Sequence, residues 1–494
     1  MAETAFDALM AHDRATGALR EVAGLLSWDQ ETMMPKRGAT QRAEQAAALA
    51  ATIHARDTDP RLGAWLEAAE ASEHAPESVR ALALLRRRHD RSRRLPARLV
   101  ETLAAKTSAA QVIWADARRL NAPADFLPSL AEIIDLKREE AQCLANGGSL
   151  YDALLDDFEQ GLTMTKLKPI FAELRAGLTA LLAQILPRTE GQTAAFCPVP
   201  AAEQLALGPR IAEAFGYDLA AGRVDLSVHP FCSGSGGDVR ITTRIDPEDP
   251  LTSLYSLIHE MGHAVYEQRI DPALRGTPLG VYASMGIHES QSRLFENQIG
   301  RSRSFAVWLH REMEAAFGPT GLDGPDALWR SANRVTPGFI RTDADELHYN
   351  LHILMRTDLE HALIEGDLDV GDLEAAWNDR FAGDFGRTVP SPADGFLQDV
   401  HWSVGIFGYF PTYTLGNIYA ACLWDAIEQR LPSLDADLAS GNLARILDWL
   451  GRHVHRQGAR LTAEALIEAA TGSGPDAAPL LSYLAGKANT LYPA

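Results

Sequence analysis

The stretch Asp238-Val-Arg-Ile-Thr-Thr-Arg-Ile-Asp-Pro-Glu-Asp-Pro-Leu-Thr-Ser-Leu-Tyr-Ser-Leu-Ile-His-Glu-Met-Gly-His263 changes its hydrophobic period halfway along. Val239, Ile241, Thr243 and Ile245 alternate with Arg240, Thr242 and Arg244, the period of two expected of a β-branched strand. From Asp249 onward the period is helical: Leu251, Leu254, Ile258, Met261 and Val265 form one face, with Asp249 as N-cap and Pro250 at the first helical position. Upstream, Ser233-Gly-Ser-Gly-Gly237 reads as a turn and Val224–Val228 as a partner strand, so a small β-hairpin or sheet is expected next to this helix. The glycines do not make a phosphate loop, because no Lys-Ser/Thr follows and they lead into a strand.

Working outward, helical periodicity dominates. From Thr163, the residues Leu167, Ile170, Phe171, Leu174, Leu178, Leu181, Leu182 and Ile185 form one apolar stripe. Similar patterns fill the first 150 residues, 300–318, 346–363, 415–430 and the segment from Leu461. The fold is expected to be mainly α. With no low-complexity linker cutting the chain, residues 1–494 read as a single catalytic domain, with a helical N-terminal part to about 220 and a metal-site and substrate-binding part from about 221.

Within the capped helix, His259-Glu-Met-Gly-His263 has the HExxH spacing. At 3.6 residues per turn the two imidazoles lie about 40° apart, so both reach one ion, while Glu260 points to the side, within reach of a water. The extended HExxHxxGxxH form is excluded by Tyr266 and Arg269. A third ligand must then be a carboxylate, with Glu267, Glu289 and Glu296 in range. Glu267 sits one turn on along the same helix and would need a bend to turn back. Glu289, on the next helix, is the expected ligand and Glu296 the fallback. Three protein ligands with one open position describe a catalytic zinc, and Glu260 as proton acceptor suits peptide hydrolysis.

Composition narrows the partners. The formal net charge of -20 argues against nucleic acid, which requires a basic footprint. The cluster Arg86, Arg87, Arg88, Arg91, Arg93 and Arg94 reads as a solvated helix end. Cys143, Cys197, Cys232 and Cys422 are scattered without CxxC spacing, and no segment approaches membrane-span length. A soluble cytoplasmic protein is expected, with peptides as partners and neither nucleic acid nor membrane.

Further motifs follow in order: His229-Pro-Phe231, Asp238-Val-Arg-Ile-Thr242, His288-Glu-Ser-Gln291, Ile340-Arg-Thr-Asp-Ala-Asp345 and Gly395-Phe-Leu-Gln-Asp-Val-His-Trp402, with Trp28-Asp-Gln-Glu-Thr-Met-Met-Pro35 near the start. With the HExxH element, this series resembles the carboxypeptidase Taq family of metallocarboxypeptidases nearly end to end. The resemblance implies a large helical peptidase fold with a deep substrate groove, one zinc or cobalt ion per chain, a homodimer, and removal of single amino acids from peptide C-termini. It supports Glu289 as the third ligand beside His259 and His263. Rival activities with the same chemistry are an endo-oligopeptidase or a dipeptidyl carboxypeptidase, and a non-catalytic helical binding protein is the remaining alternative. Less specific roles fall to Tyr409 and His401 in catalysis, and to Arg341, His229, Arg240 and Tyr413 in substrate binding. For Arg341 the bland reading is an ion pair with Asp343 or Asp345.

Overall fold

The computed structural model describes residues 4–189 and 196–493. Helices carry nearly all the architecture, as the periodicity predicts. The stripe from Thr163 becomes the Met164–Ile185 helix, and its Leu167, Phe171, Leu174, Leu178, Leu181, Leu182 and Ile185 are all buried. Segments 300–318, 346–363 and 415–430 correspond to the helices Arg303–Phe317, Glu346–Glu365 and Phe410–Arg430. The basic run ends the Pro76–Arg94 helix, where Arg86 pairs with Glu70 and Arg88 with Asp13.

The chain gathers into two compact units, each drawn from three stretches: Met1–Arg93, Thr193–Ala332 and Cys422–Gly474 in the first, Arg94–Gln192, Asn333–Ala421 and Pro475–Ala494 in the second. They interleave in sequence, so neither corresponds to the parts 1–220 and 221–494.

The first unit contains the sheet. Gly222–Leu226, Cys232–Ser235 and Asp238–Thr243 are its strands, with Asp238–Thr243 in the centre. The partner expected at Val224–Val228 is the strand Gly222–Leu226, starting and ending two residues earlier, and it pairs with the centre in parallel, Gly222 opposite Val239 and Leu226 opposite Thr243. The hairpin partner is instead Cys232–Ser235, antiparallel, with Ser235 opposite Asp238. The glycine-serine run is therefore partly strand, because a ladder needs only backbone groups. The turn itself shrinks to Gly236-Gly237, and Gly236 supplies the positive φ of 60° that a two-residue hairpin demands. Val239 and Ile241 are fully buried where the sheet lies on the Pro250–Arg269 helix.

In the second unit, the Met164–Ile185 helix packs on Glu346–Glu365 and on Ala478–Leu491. By length and composition, the stretch Met164–Arg188 is apolar enough to cross a membrane, correcting the expectation that no segment reaches that length. Ala172, Ala176, Ala180 and Ala183, off the leucine stripe, keep its hydropathy high; the stripe itself is buried in the unit's core.

Candidate metal centre

The Pro250–Arg269 helix is fixed at its start, where the Asp249 carboxylate accepts from the backbone N–H of Leu251 and Thr252. About three turns on, it meets the Met285–Arg293 helix at Gly262. A Cβ on Gly262 would lie 2.4 Å from the Gln291 carbonyl oxygen and 2.5 Å from the Ser292 Cα, so only glycine permits this approach. The Met285–Arg293 helix is itself capped, with Ser284 Oγ accepting from Ile287 N–H. This contact brings Glu289 under the two histidines: its Oε2 lies 3.5 Å from His263 Nε2 and 3.9 Å from His259 Nε2. Among the described residues, His259, His263 and Glu289 form the group whose ligand atoms all lie within 4.8 Å of one another.

These donors fit a divalent cation. Two imidazole nitrogens converge on one carboxylate oxygen, the ligand types zinc takes, and the remaining polar atoms hold the ligands from behind. Arg293 Nε donates to the far oxygen of Glu289 at 2.7 Å. Burial alone would raise Glu289, but Arg293 and His259 outweigh it and hold the carboxyl below the usual range. For His263, burial dominates and pushes the imidazole down to about 3, leaving it in the neutral form that ligates metals. Burial acts against protonation of His259 as well, yet Glu289 and Glu296 reverse the balance and raise it.

Glu296, the fallback ligand, instead meets the outer nitrogen of a ligand histidine: its Oε2 lies 3.0 Å from His259 Nδ1. It stands in a π-helical segment, Leu294–Gly300, that continues the Met285–Arg293 helix. The wider winding moves it off the face that carries Glu289. Arg293 and Arg301 hold it at 3.3 and 3.1 Å. Glu267 pairs with His288, 3.0 Å from Oε1 to Nε2. Glu260 is buried beside the cluster and outside it; burial pushes its carboxyl up to about 7.

His229 lies on an exposed bend of the same unit, its carbonyl accepting from Ser227 Oγ. Arg240 bonds Asp238 at 2.7 Å and stacks on the buried Trp28, 4.2 Å from the ring centre.

Within the second unit, Arg341, His401, Tyr409 and Tyr413 come together. His401 Nε2 lies 3.1 Å from the Tyr413 hydroxyl, and the Tyr409 ring is 5.9 Å from His401 and 5.1 Å from Tyr413. Burial pushes His401 down to about 4, so it is neutral. Arg341 does not pair with Asp343 or Asp345. Asp345 caps the Glu346–Glu365 helix and bonds His348 at 2.7 Å. The Arg341 partner is Asp399, reached by Nη2 at 2.8 Å and Nε at 2.9 Å, while Arg356 Nε donates to the other Asp399 oxygen at 2.6 Å. Asp399 and Arg356 had no role assigned from sequence. Asp399 stands inside a motif, but nothing in the spacing links it to arginines more than forty residues away.

The Gly262 contact has a testable consequence. Gly262→Ala should cost about 1–3 kcal/mol of stability by overpacking against backbone, and weaken metal retention by moving Glu289 away from His259 and His263. Thermal melts and metal content after dialysis measure both, and unchanged values would mean the helices do not depend on this approach.

The profile of the carboxypeptidase Taq (M32) metallopeptidase family matches residues 8–488. The chain is 41% identical to thermostable carboxypeptidase 1 of Thermus thermophilus, covering 99% of both chains. Its fold matches a crystal structure of an M32 carboxypeptidase from Deinococcus radiodurans R1 with a TM-score of 0.93 and 38% identity, over 99% of this chain and 100% of that one. It also matches Trypanosoma cruzi metallocarboxypeptidase 1 with a TM-score of 0.96 and 34% identity, over 99% of each.

Proposed function

Since the chain belongs to the carboxypeptidase Taq (M32) family of metallopeptidases, a family of peptide hydrolases, we propose that it removes single amino acids from the C-termini of peptides, using one divalent ion, zinc by preference, held by His259, His263 and Glu289. The observation that carries this reading is the convergence of both Nε2 atoms on Glu289 Oε2 beside a buried carboxyl outside the ligand group, Glu260. The family match from residue 8 to 488 supports treating the chain as a single catalytic domain.

When bound there, such an ion supplies Lewis acidity to a carbonyl oxygen and to water. The chain's own groups do the rest. Glu260 takes the proton of the attacking water on its carboxylate and hands it to the leaving amine. Glu296 on His259 and Arg293 on Glu289 hold those two ligands in orientation. In the second unit, the Tyr409 and Tyr413 hydroxyls serve as donors to developing negative charge, and neutral His401 orients Tyr413. Arg341 is the proposed partner of the substrate's terminal carboxylate, through Nη1, the edge that Asp399 does not engage. His229, on its exposed bend, and Arg240, paired with Asp238 and stacked on Trp28, are proposed as further substrate contacts. A homodimer in the cytoplasm is part of the same reading: the family resemblance supports the dimer, and the four free cysteines suit a reducing compartment.

The test is digestion of a defined peptide set by metal-stripped protein and by protein reconstituted with zinc or cobalt, with products read by mass. Stepwise release of single C-terminal residues is expected, abolished by stripping, restored by metal and suppressed by C-terminal amidation. Internal fragments or dipeptides would overturn the single-residue reading, and full activity after stripping would overturn the metal.

A further inference from the structure

The two histidines of the metal cluster are held by different means. His259 has a carboxylate on its outer nitrogen, the usual way a ligand imidazole is kept in plane. His263 has none: its Nδ1 is buried and meets no hydrogen-bond partner. A histidine χ2 torsion is broad when nothing fixes it, so this ring needs another restraint if Nε2 is to stay on target. The restraint available is His288. Its ring lies face to face with that of His263, centroids 4.5 Å apart and planes 17° from parallel, whereas His259 and His263 meet edge-on at 80°.

His288 is itself immobilised. Its Nε2 bonds Glu267 Oε1 at 3.0 Å, and Tyr282 and Tyr266 close on it with ring centroids at 4.7 and 5.7 Å. Glu267 is buried, at 7% exposure, and comes from the same helix as His263, one turn on. The chain of contact therefore leaves the Pro250–Arg269 helix at Glu267, crosses to His288 on the Met285–Arg293 helix, and returns through the stack to His263.

We infer that His288, anchored by Glu267, is a positioning residue for the metal site, fixing the plane of the His263 ring by stacking where no hydrogen bond does so. This rests on the metal-site reading above. It makes His288 necessary for its flat ring and not for its charge or its ligating nitrogen.

The experiment measures metal release from the loaded full-length protein into an excess of chelator. His288→Ala should lose metal faster than wild type by about tenfold or more, the scale of other orienting contacts. The double variant His288→Phe with Glu267→Gln keeps a ring in the stack and removes the carboxylate that phenylalanine would strand. It should stay within about threefold of wild type. The matched comparison is His288→Ala with Glu267→Gln against His288→Phe with Glu267→Gln: both lack the His288–Glu267 bond and strand no carboxylate, so a merely structural role would make them alike, whereas loss of the ring should speed release only in the first. Chemical denaturation run in parallel shows which variants are folded, and if His288→Ala does not fold, His288→Leu takes its place as a ringless side chain. Wild-type release from the folded ringless variant, or release from the phenylalanine double variant as fast as from its ringless counterpart, overturns the proposal. His263→Ala separates the two failures: if it retains metal, the site itself is wrong, and if it loses metal while the ringless variant does not, only the role of His288 falls.

Discussion

Glu260→Gln should leave the protein folded and metal-loaded while its turnover drops by about 10²–10⁴-fold, the usual share of a positioned proton-transfer group. Glutamine preserves the shape of the side chain on the Pro250–Arg269 helix and leaves the proposed ligands His259, His263 and Glu289 unaltered. What it cannot do is accept a proton. Burial pushes the Glu260 carboxyl up to about 7, and a dication close by pulls it down again. In the metal-free protein the raised value has a stability consequence. A carboxyl whose folded pKa exceeds its unfolded value is most favourable below the unfolded pKa, and that advantage fades as pH rises through the folded one. Above pH 7 the metal-free Gln variant should therefore melt no lower than metal-free wild type. Steady-state kinetics together with metal analysis decide the main point. A variant that holds stoichiometric metal and keeps a tenth of the wild-type rate would remove Glu260 from proton transfer.

Asp399→Asn should be the most damaging single substitution outside the metal centre, at about 3–5 kcal/mol, because it leaves buried charge without its counter-charge. Arg356 is fully buried and Arg341 is 7% exposed, and one carboxylate serves both. Burial by itself would raise the Asp399 pKa, yet Arg341 and Arg356 more than reverse this and hold it far below the usual range. Stability from a depressed carboxylate is fully present above its unfolded pKa and disappears as pH falls through the folded value. The gap between wild type and variant in urea titrations should thus be constant from about pH 5 to 8 and narrow only in strong acid. A loss under about 1 kcal/mol at neutral pH would show that the two guanidinium groups find other partners.

Most of the candidate metal cluster was legible because its geometry is local. The spacing of His259 and His263 is a property of one helix, and the Asp249-Pro250 opening fixes where that helix starts. Glu289 was reachable since it sits on the next helix, although nothing in the sequence says that Gly262 is the point of contact. Glu296 shows where pattern reading stops: a heptad count places it two turns past Glu289, and the π-helical winding of Leu294–Gly300 moves it to the back of His259. The sheet was found by its period of two, whereas strand order was not, since alternation is blind to which neighbour pairs in parallel. Arg341 was singled out for substrate, but its protein partner was out of reach: the bland alternative paired it with Asp343 or Asp345, which are near in sequence, whereas Asp399 is near only in space.

The interleaving of the two units bears on how the chain can be made. A ribosome that has released residues 1–332 has delivered every proposed metal ligand, but not the stretch Cys422–Gly474 that completes the same unit. From that late stretch come His455, whose Nε2 lies 2.9 Å from Gln291 Oε1, the Ala459 amide bonded to Leu279, and the Leu447 carbonyl that accepts from Arg269. These contacts brace both helices that carry the ligands. The nascent chain consequently carries its His and Glu ligands for the whole of the second unit's middle segment before the brace exists. Folding of the unit that contains the proposed ligands is thereby tied to the end of translation, and shortening the chain from its C-terminal side removes support from a site that lies in its middle.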